Sequence, residues 1–149
     1  KIQIQAGLTA QNSRYKEART WSDEGDVQAT RKMFRTPDFY GYLSASYNPV
    51  KRMQLSLTGT YTGSMLIEHH AGFIDSNKSV ETPDFWDLNF KIAYDFKIYS
   101  SFSLQLNAGV QNMLNSFQKD FDSGADRDSG YIYGPTLPRS FFFGIKLNY

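Results

Sequence analysis

Residues 53–65 read MQLSLTGTYTGSM and contain the clearest periodic pattern of the sequence. Every second residue from Met53 to Met65 is apolar, aromatic or Gly, and the residues between them are Gln, Ser or Thr. Successive side chains of a β-strand point to opposite faces. The pattern therefore predicts a long strand with one apolar face and one polar face.

The same alternation recurs five more times along the chain. No segment sustains the i, i+3, i+4, i+7 apolar spacing of an amphipathic helix. We therefore predict an all-β protein with six long antiparallel strands that follow one another as a meander. The predicted strands cover residues 2–15, 38–48, 52–65, 84–97, 101–114 and 137–149.

Strand length and loop length point to a membrane barrel. The runs hold about 9 to 13 residues, longer than the ~5–6 of soluble strands and close to the roughly 9–11 that a tilted strand needs to cross a bilayer. Short turns at 48–51 and 97–100 alternate with long polar segments at 16–37, 66–83 and 115–137. All turns then lie at one end of the sheet and all loops at the other, as in outer-membrane barrels.

Alternation alone leaves two classes open. A soluble sandwich or calyx that binds a small ligand turns its apolar face inward, whereas a membrane barrel turns it toward lipid. Six strands are fewer than the ~8 of the smallest membrane barrels, and lipid offers no hydrogen-bonding partner to a strand edge. In the membrane case we expect further strands beside both edges, so the chain would be a section of a larger barrel.

Composition excludes several functions. The chain has 149 residues, no cysteine and a net charge of +1, so it has no disulfides or thiolate nucleophiles, and nucleic acid is not an expected partner. No apolar run approaches the ~20 residues of a membrane helix. Neither a G-x-S-x-G elbow nor a phosphate loop occurs in the sequence, and we predict that the protein is not an enzyme.

Two loop segments carry candidate ligand-binding residues. Cations interleave with aromatic residues over 13–36, which suits an anionic or aromatic ligand. Glu68-His69-His70 suggests a substrate or metal contact, although adjacent histidines in a strand point to opposite faces. An ordinary solvated surface is the alternative for both segments. The predicted substrate-binding residues are Arg19, Trp21, Arg31, Arg35, His69 and His70.

Loop 120–130 reads DFDSGADRDSG and is strongly acidic. Several carboxylates on a flexible loop suit calcium, although the EF-hand spacing is not matched. The alternative is a solvated loop in which Arg127 pairs with neighbouring aspartates. Calcium is the only cofactor that the sequence suggests, and its predicted ligands are Asp120, Asp122, Asp126 and Asp128.

The last third of the chain resembles a known family. Residues 105–117, QLNAGVQNMLNSF, resemble the penultimate-strand signature of TonB-dependent outer-membrane receptors. Residues 134–149, GPTLPRSFFFGIKLNY, are similar to the final strand of that family, with a Pro-Arg pair before alternating aromatics. Residues 36–65 resemble receptors of this type from Bacteroidetes-like bacteria.

The resemblance implies the C-terminal portion of a 22-stranded barrel in the outer membrane of a Gram-negative bacterium. It implies TonB-driven import of a scarce nutrient: an iron chelate, haem, cobalamin or an oligosaccharide. The plug domain, the TonB complex acting through it and the N-terminal barrel strands are implied partners that this chain does not supply. Its own part would be barrel wall against lipid and extracellular loops. A passive porin or an adhesin-like barrel is the alternative.

A signal for the outer-membrane insertion machinery is also implied by the resemblance. It consists of the alternating aromatics of the last strand, and the implied residues are Phe141, Phe143 and Tyr149.

Overall fold

A computed structural model describes residues 1–99 and 102–148 of the chain. Six strands form one antiparallel sheet in chain order, which confirms the predicted all-β meander. These are β1 (Ile2–Ala10), β4 (Phe39–Tyr47), β5 (Met53–Thr62), β8 (Phe85–Lys97), β9 (Ser103–Gln111) and β10 (Ser140–Asn148). Two hairpins lie between them: β2 (Arg14–Arg19) with β3 (Thr30–Lys32), and β6 (Leu66–His69) with β7 (Lys78–Glu81).

The register places most apolar residues of the six strands on one face. Residues directly opposite each other in a sheet share a face. One row of such pairs runs across the whole sheet through Ile4, Ala45, Leu57, Phe90, Val110 and Phe141. The adjacent row is polar and runs through Gln5, Ser44, Thr58 and Asn89.

The apolar face of the sheet is exposed. Ile4 is 70% exposed, Phe143 is 67% exposed and Phe141 is 79% exposed. A soluble sandwich would pack this face against a second layer about 10 Å away. The described residues provide no such layer, because the two smaller sheets are formed by the loop hairpins. The structure therefore gives no support to the soluble sandwich or calyx.

Hydrophobic packing is concentrated in the loops. Loop A (residues 11–38), loop B (63–84) and loop C (112–139) lie at one end of the sheet, and the short turns lie at the other. A small core joins loops B and C. It consists of Met65, Ile67 and Tyr131, with Val80 and Tyr133 packed against it. We call this set and the polar contacts around it the loop cluster.

Several strands are shorter than predicted at the loop end. The predicted strand 101–114 ends at Gln111, because Asn112 adopts a left-handed backbone with φ of 49°. The predicted strand 2–15 ends at Ala10, because Arg14 pairs instead with Lys32 in the loop A hairpin. Residues 100, 101 and 149, on which parts of the predicted strands and Tyr149 of the assembly signal fall, lie outside the described residues.

Two asparagines turn the chain out of β9. Both Asn112 and Asn115 have positive φ, at 49° and 55°, a conformation that asparagine tolerates better than most residues. The buried Asn112 amide donates to the carbonyl oxygens of Ser116 and Leu137. Asn115 accepts a hydrogen bond from the backbone N–H of Arg139. The Asn112 and Asn115 side chains thus join the two ends of loop C. Both asparagines therefore have a structural role in the turn that follows β9.

No helix among the described residues is long and apolar enough to cross a membrane.

Candidate functional site

The β6 strand divides its side chains between the loop core and solvent. Ile67 and His69 point inward and are 0% and 7% exposed, whereas His70 is exposed to solvent. This follows from strand geometry, because side chains two residues apart share a face. The two adjacent histidines therefore have different surroundings.

His69 forms a buried pair with Asp122 of loop C. Its Nε2 atom lies 3.0 Å from both carboxylate oxygens. The imidazole stacks on Tyr131, with ring centroids 3.5 Å apart and an interplanar angle of 12°. Asp122 also accepts a hydrogen bond from the backbone N–H of Asp128. The pair therefore joins loop B to loop C and also stabilises the turn of loop C.

Asp120 accepts hydrogen bonds from two tyrosine hydroxyls, those of Tyr131 and Tyr133. Burial raises the pKa of Asp120, but these two hydrogen bonds outweigh it, and the pKa lies below its usual value. Burial, the hydrogen bond to Asp120 and its negative charge together raise the pKa of Tyr131 to about 12. The pKa of Tyr133 is raised for the same reasons.

The remaining predicted calcium ligands diverge. Asp128 accepts hydrogen bonds from the backbone N–H groups of His70 and Gly130. These bonds outweigh the effect of burial and lower the pKa of Asp128. Over residues 1–99 and 102–148, no three acidic or histidine side chains converge on a position that could hold a metal ion. Calcium binding by these aspartates stays a prediction.

Among the described residues Arg127 has no carboxylate partner, contrary to the solvated-loop alternative. Its guanidinium donates to the carbonyl oxygen of Gly124 at 3.0 Å. Asp120, Asp122 and Asp128 are paired with the two tyrosines, with His69 and with backbone N–H groups, so these three aspartates do not depend on this cation.

Arg35 joins all three loops. Its guanidinium lies 3.0 Å from the Glu68 carboxylate in loop B and donates to the carbonyl oxygens of Gly130 and Ile132 in loop C. The residue itself has φ of 54°, a left-handed backbone that directs the side chain across the loop cluster. Predicted as a ligand-binding residue, Arg35 is held by protein acceptors and positions the loops.

The tip of loop A is fixed to loop B by a polar network. The buried Asn77 amide donates to Ser22 and Glu24, and the Asn77 backbone N–H donates to Asp26. The hydrogen bond from Ser22 contributes most to the lowered pKa of Asp26. The acidic tip of loop A is therefore used in packing, while Lys16, Arg19 and Arg31 of its stem remain exposed.

Three predicted residues of loop A lie near solvent. The Trp21 indole donates to Ser79 of loop B and contacts the His70 ring edge-on, with centroids 4.7 Å apart. The Arg19 guanidinium lies 5.3 Å from the centre of the Tyr15 ring, and Arg31 donates to the Tyr15 carbonyl. Arg19 and Arg31 form no ion pair within the part of the chain that the structure describes.

Sequence reasoning missed the buried amides. Gln118 is 1% exposed, donates to the Tyr131 carbonyl and accepts from the Tyr133 N–H. Gln118 and Asn77 each lie in a polar segment, and no local sequence pattern predicts that their side chains are buried. Asn112 belongs to the pattern in residues 105–117 that carries the family resemblance, but that pattern does not predict its role in the turn after β9.

The polar face also has a cavity near loop C. Its volume is about 540 Å³, and Asn89, Lys91, Gln111 and Phe142 contribute to its walls. In this region the sheet provides both charged and neutral polar side chains, so the cavity suits water or a polar occupant.

Comparison with known proteins supports the fold. No family model matches the sequence, and no curated protein matches it. The structure is similar to that of the ferric-catecholate import receptor Fiu from E. coli K12 in its closed form. The TM-score is 0.63 at 22% sequence identity, over 99% of this chain and 18% of that receptor. The chain therefore has the fold of part of a receptor barrel and spans about a fifth of the receptor's length.

Proposed function

We propose that this chain forms barrel wall and extracellular loops of a TonB-dependent import receptor in the outer membrane of a Gram-negative bacterium. The observation that carries the proposal is the exposed apolar row from Ile4 to Phe141, which crosses all six strands opposite a polar face. Such a sheet is stable where lipid covers the apolar side and water or protein fills the other. The similarity to a receptor barrel supports it.

The partners of such a receptor are part of the proposal. β1 and β10 are the two edges of the sheet, and each exposes unpaired backbone groups that the hydrocarbon region cannot satisfy. We infer that N-terminal strands of the same 22-stranded barrel pair with them, and that a plug inside the barrel connects it to the TonB complex. From the resemblance of residues 36–65, we also propose that the receptor is of the type found in Bacteroidetes-like bacteria.

Spin labels can test which face meets lipid. Nitroxides at Leu55, Phe90, Leu106 and Ile145 should report a lipid environment in the full-length protein. Matched labels one residue away, at Ser56, Asn89, Gln105 and Lys146, should report water. The reverse pattern would contradict the proposal and favour a soluble protein with its apolar face inside.

A nutrient is the proposed substrate: an iron chelate, haem, cobalamin or an oligosaccharide. Iron chelates are the first to test, because the structure is similar to part of a ferric-catecholate import receptor and because the exposed Arg19 and Arg31 suit an anionic ligand. Trp21 and His70 provide an aromatic surface beside them. Growth on each nutrient as the limiting source, with and without TonB, separates an import receptor from a passive porin or adhesin.

Assembly gives a second test. Phe141 and Phe143 lie on the exposed apolar face of β10, as a signal read by the insertion machinery requires. Deleting residues 143–149 should prevent membrane assembly, while alanine at the exposed Phe73 of loop B should leave it unchanged. Normal insertion of the deletion variant would count against the proposed signal.

A further inference from the structure

A groove interrupts the apolar face of the sheet near its loop end. Its volume is about 590 Å³, within the range of about 300–1,000 Å³ typical of ligand-holding clefts. Gly41 on β4 and Gly59 on β5 lie in its floor, in neighbouring rows of the apolar face. Because neither glycine has a side chain, the surface is lower there than in the neighbouring rows.

Aromatic rings form the wall of this groove on the loop side. The rings of Phe39 and Tyr61 lie 5.9 Å apart, and those of Tyr61 and Trp86 lie 4.5 Å apart. The Tyr61 hydroxyl points toward the start of loop B. It would lie 3.6 Å from a Cβ atom placed on Gly63, the first residue of that loop. Trp86 is 53% exposed. The groove is thus apolar along its length, with polar groups beside the loops.

We propose that the groove binds one acyl chain of a lipid in the leaflet on the loop side. The inference rests on the proposed function, because it requires the apolar face to lie in a membrane. A flexible hydrocarbon chain suits a narrow apolar channel that is continuous with the exposed sheet face. Tyrosine and tryptophan at its loop end are the residues that favour the headgroup level, so the lipid would lie with its headgroup toward the loops.

Gly59 allows the groove to be filled without changing the backbone. Gly41 is unsuitable, because a Cβ atom there would lie 2.7 Å from the backbone oxygen of Gly7. At Gly59 the nearest atom to a Cβ would be a terminal methyl carbon of Leu88 at 3.0 Å, which can rotate away. Gly59→Leu therefore fills the groove, and Ala45→Leu adds the same side chain to the same face outside it.

The test uses full-length protein in vesicles of phosphatidylcholine with brominated acyl chains. Trp86 emission, taken as the difference from Trp86→Phe, should be quenched. Native mass spectrometry in detergent should detect one retained phosphatidylcholine molecule. We expect Gly59→Leu to lower the retained fraction roughly tenfold, since several methylene groups lose their contacts. Ala45→Leu should retain the lipid like the parent protein.

The outcomes separate the two proposals. Quenching of Trp86 with equal lipid retention by all variants would overturn the groove assignment and leave the membrane orientation intact. An absence of quenching would overturn both. A change of oligomeric state in Gly59→Leu, with no change in retained lipid, would assign the groove to a second copy of the protein. If Gly59→Leu does not assemble, Leu43→Phe fills the groove from the neighbouring strand and must give the same loss of lipid.

Discussion

The Nε2 atom of His69 lies 3.0 Å from both carboxylate oxygens of Asp122, although the two residues are 53 positions apart in the chain. Their side chains are 9% and 3% exposed. This contact and the stacked Tyr131 ring join loop B to loop C, beside the small hydrophobic core of Met65, Ile67 and Tyr131. The pair is therefore the best place to test how the loops are held.

Asp122→Ala should open loop C. The change leaves the buried His69 nitrogen without its acceptor and releases the Asp128 N–H, at a cost of about 1–3 kcal/mol to the loop cluster. Hydrogen exchange of residues 118–133 should accelerate accordingly. Asp126→Ala is the control, since Asp126 lies in the same loop and its carboxylate has no hydrogen bond among the described residues. Equal acceleration in both variants would show that the His69–Asp122 pair is unimportant.

The stability of the loop cluster should depend on pH at both extremes. The lowered pKa of Asp120 gives a stabilisation that is present above its unfolded value of about 4 and is lost as the pH falls through the folded value. The raised pKa of Tyr131 has the opposite sign: its contribution is complete below about pH 10 and is lost as the pH rises through about 12. Between these limits the contributions of Asp120 and Tyr131 should stay constant.

Tyrosinate absorbance, taken as the difference from Tyr131→Phe, measures the high-pH limit directly. We expect Asp120→Asn to move the pKa of Tyr131 down toward its ordinary value of about 10, because the charge that opposes ionisation is gone. Emission of Trp21, which contacts loop B, follows loop opening at low pH. An unchanged tyrosine titration in Asp120→Asn would contradict the hydrogen-bond arrangement.

Arg35→Lys should loosen the contact between the three loops. A lysine can keep one charge contact with Glu68 but cannot reach the two loop C carbonyls with the same planar group. The Arg35–Glu68 pair is partly exposed, so the free energy that holds the loops together should fall by about 1 kcal/mol. This corresponds to roughly a fivefold rise in the rate of proteolytic cleavage within loops B and C. Arg31→Lys, whose contact stays inside loop A, should cleave like the parent protein. Equal cleavage of all three proteins would exclude this role for Arg35.

The sheet was predictable from the sequence because its determinants are local and periodic. Each strand repeats the two-residue pattern over nine residues or more, and the continuous row from Ile4 to Phe141 follows from pairing like faces. The exact ends were less predictable. They depend on single backbone conformations such as the positive φ of Asn112, which hydrophobic periodicity does not encode.

The loop cluster was only partly predictable, because its contacts are distant in the chain. Residue types alone indicate His69 and Arg35 as candidate substrate-binding residues and the aspartates as candidate metal ligands. Their partners, such as Glu68 for Arg35, depend on how loops B and C pack. The four-residue strands β6 and β7 are too short to give a periodic signal, so hydrophobic periodicity does not predict the loop B hairpin.

A charge on the apolar face should be far more costly than the same charge on the polar face. Phe90 lies near the middle of the 13-residue β8 strand and in the apolar row, while Asn89 precedes it on the polar face. In a bilayer, Phe90→Lys should destabilise the assembled barrel by about 2–4 kcal/mol, the cost of a lysine near the bilayer midplane. Thr58 lies opposite Asn89 on the polar face, is exposed and makes no side-chain hydrogen bond among the described residues, so Thr58→Lys should be nearly neutral. Urea unfolding in phosphatidylcholine vesicles measures both changes, and equal costs would mean that lipid does not cover the face containing Phe90.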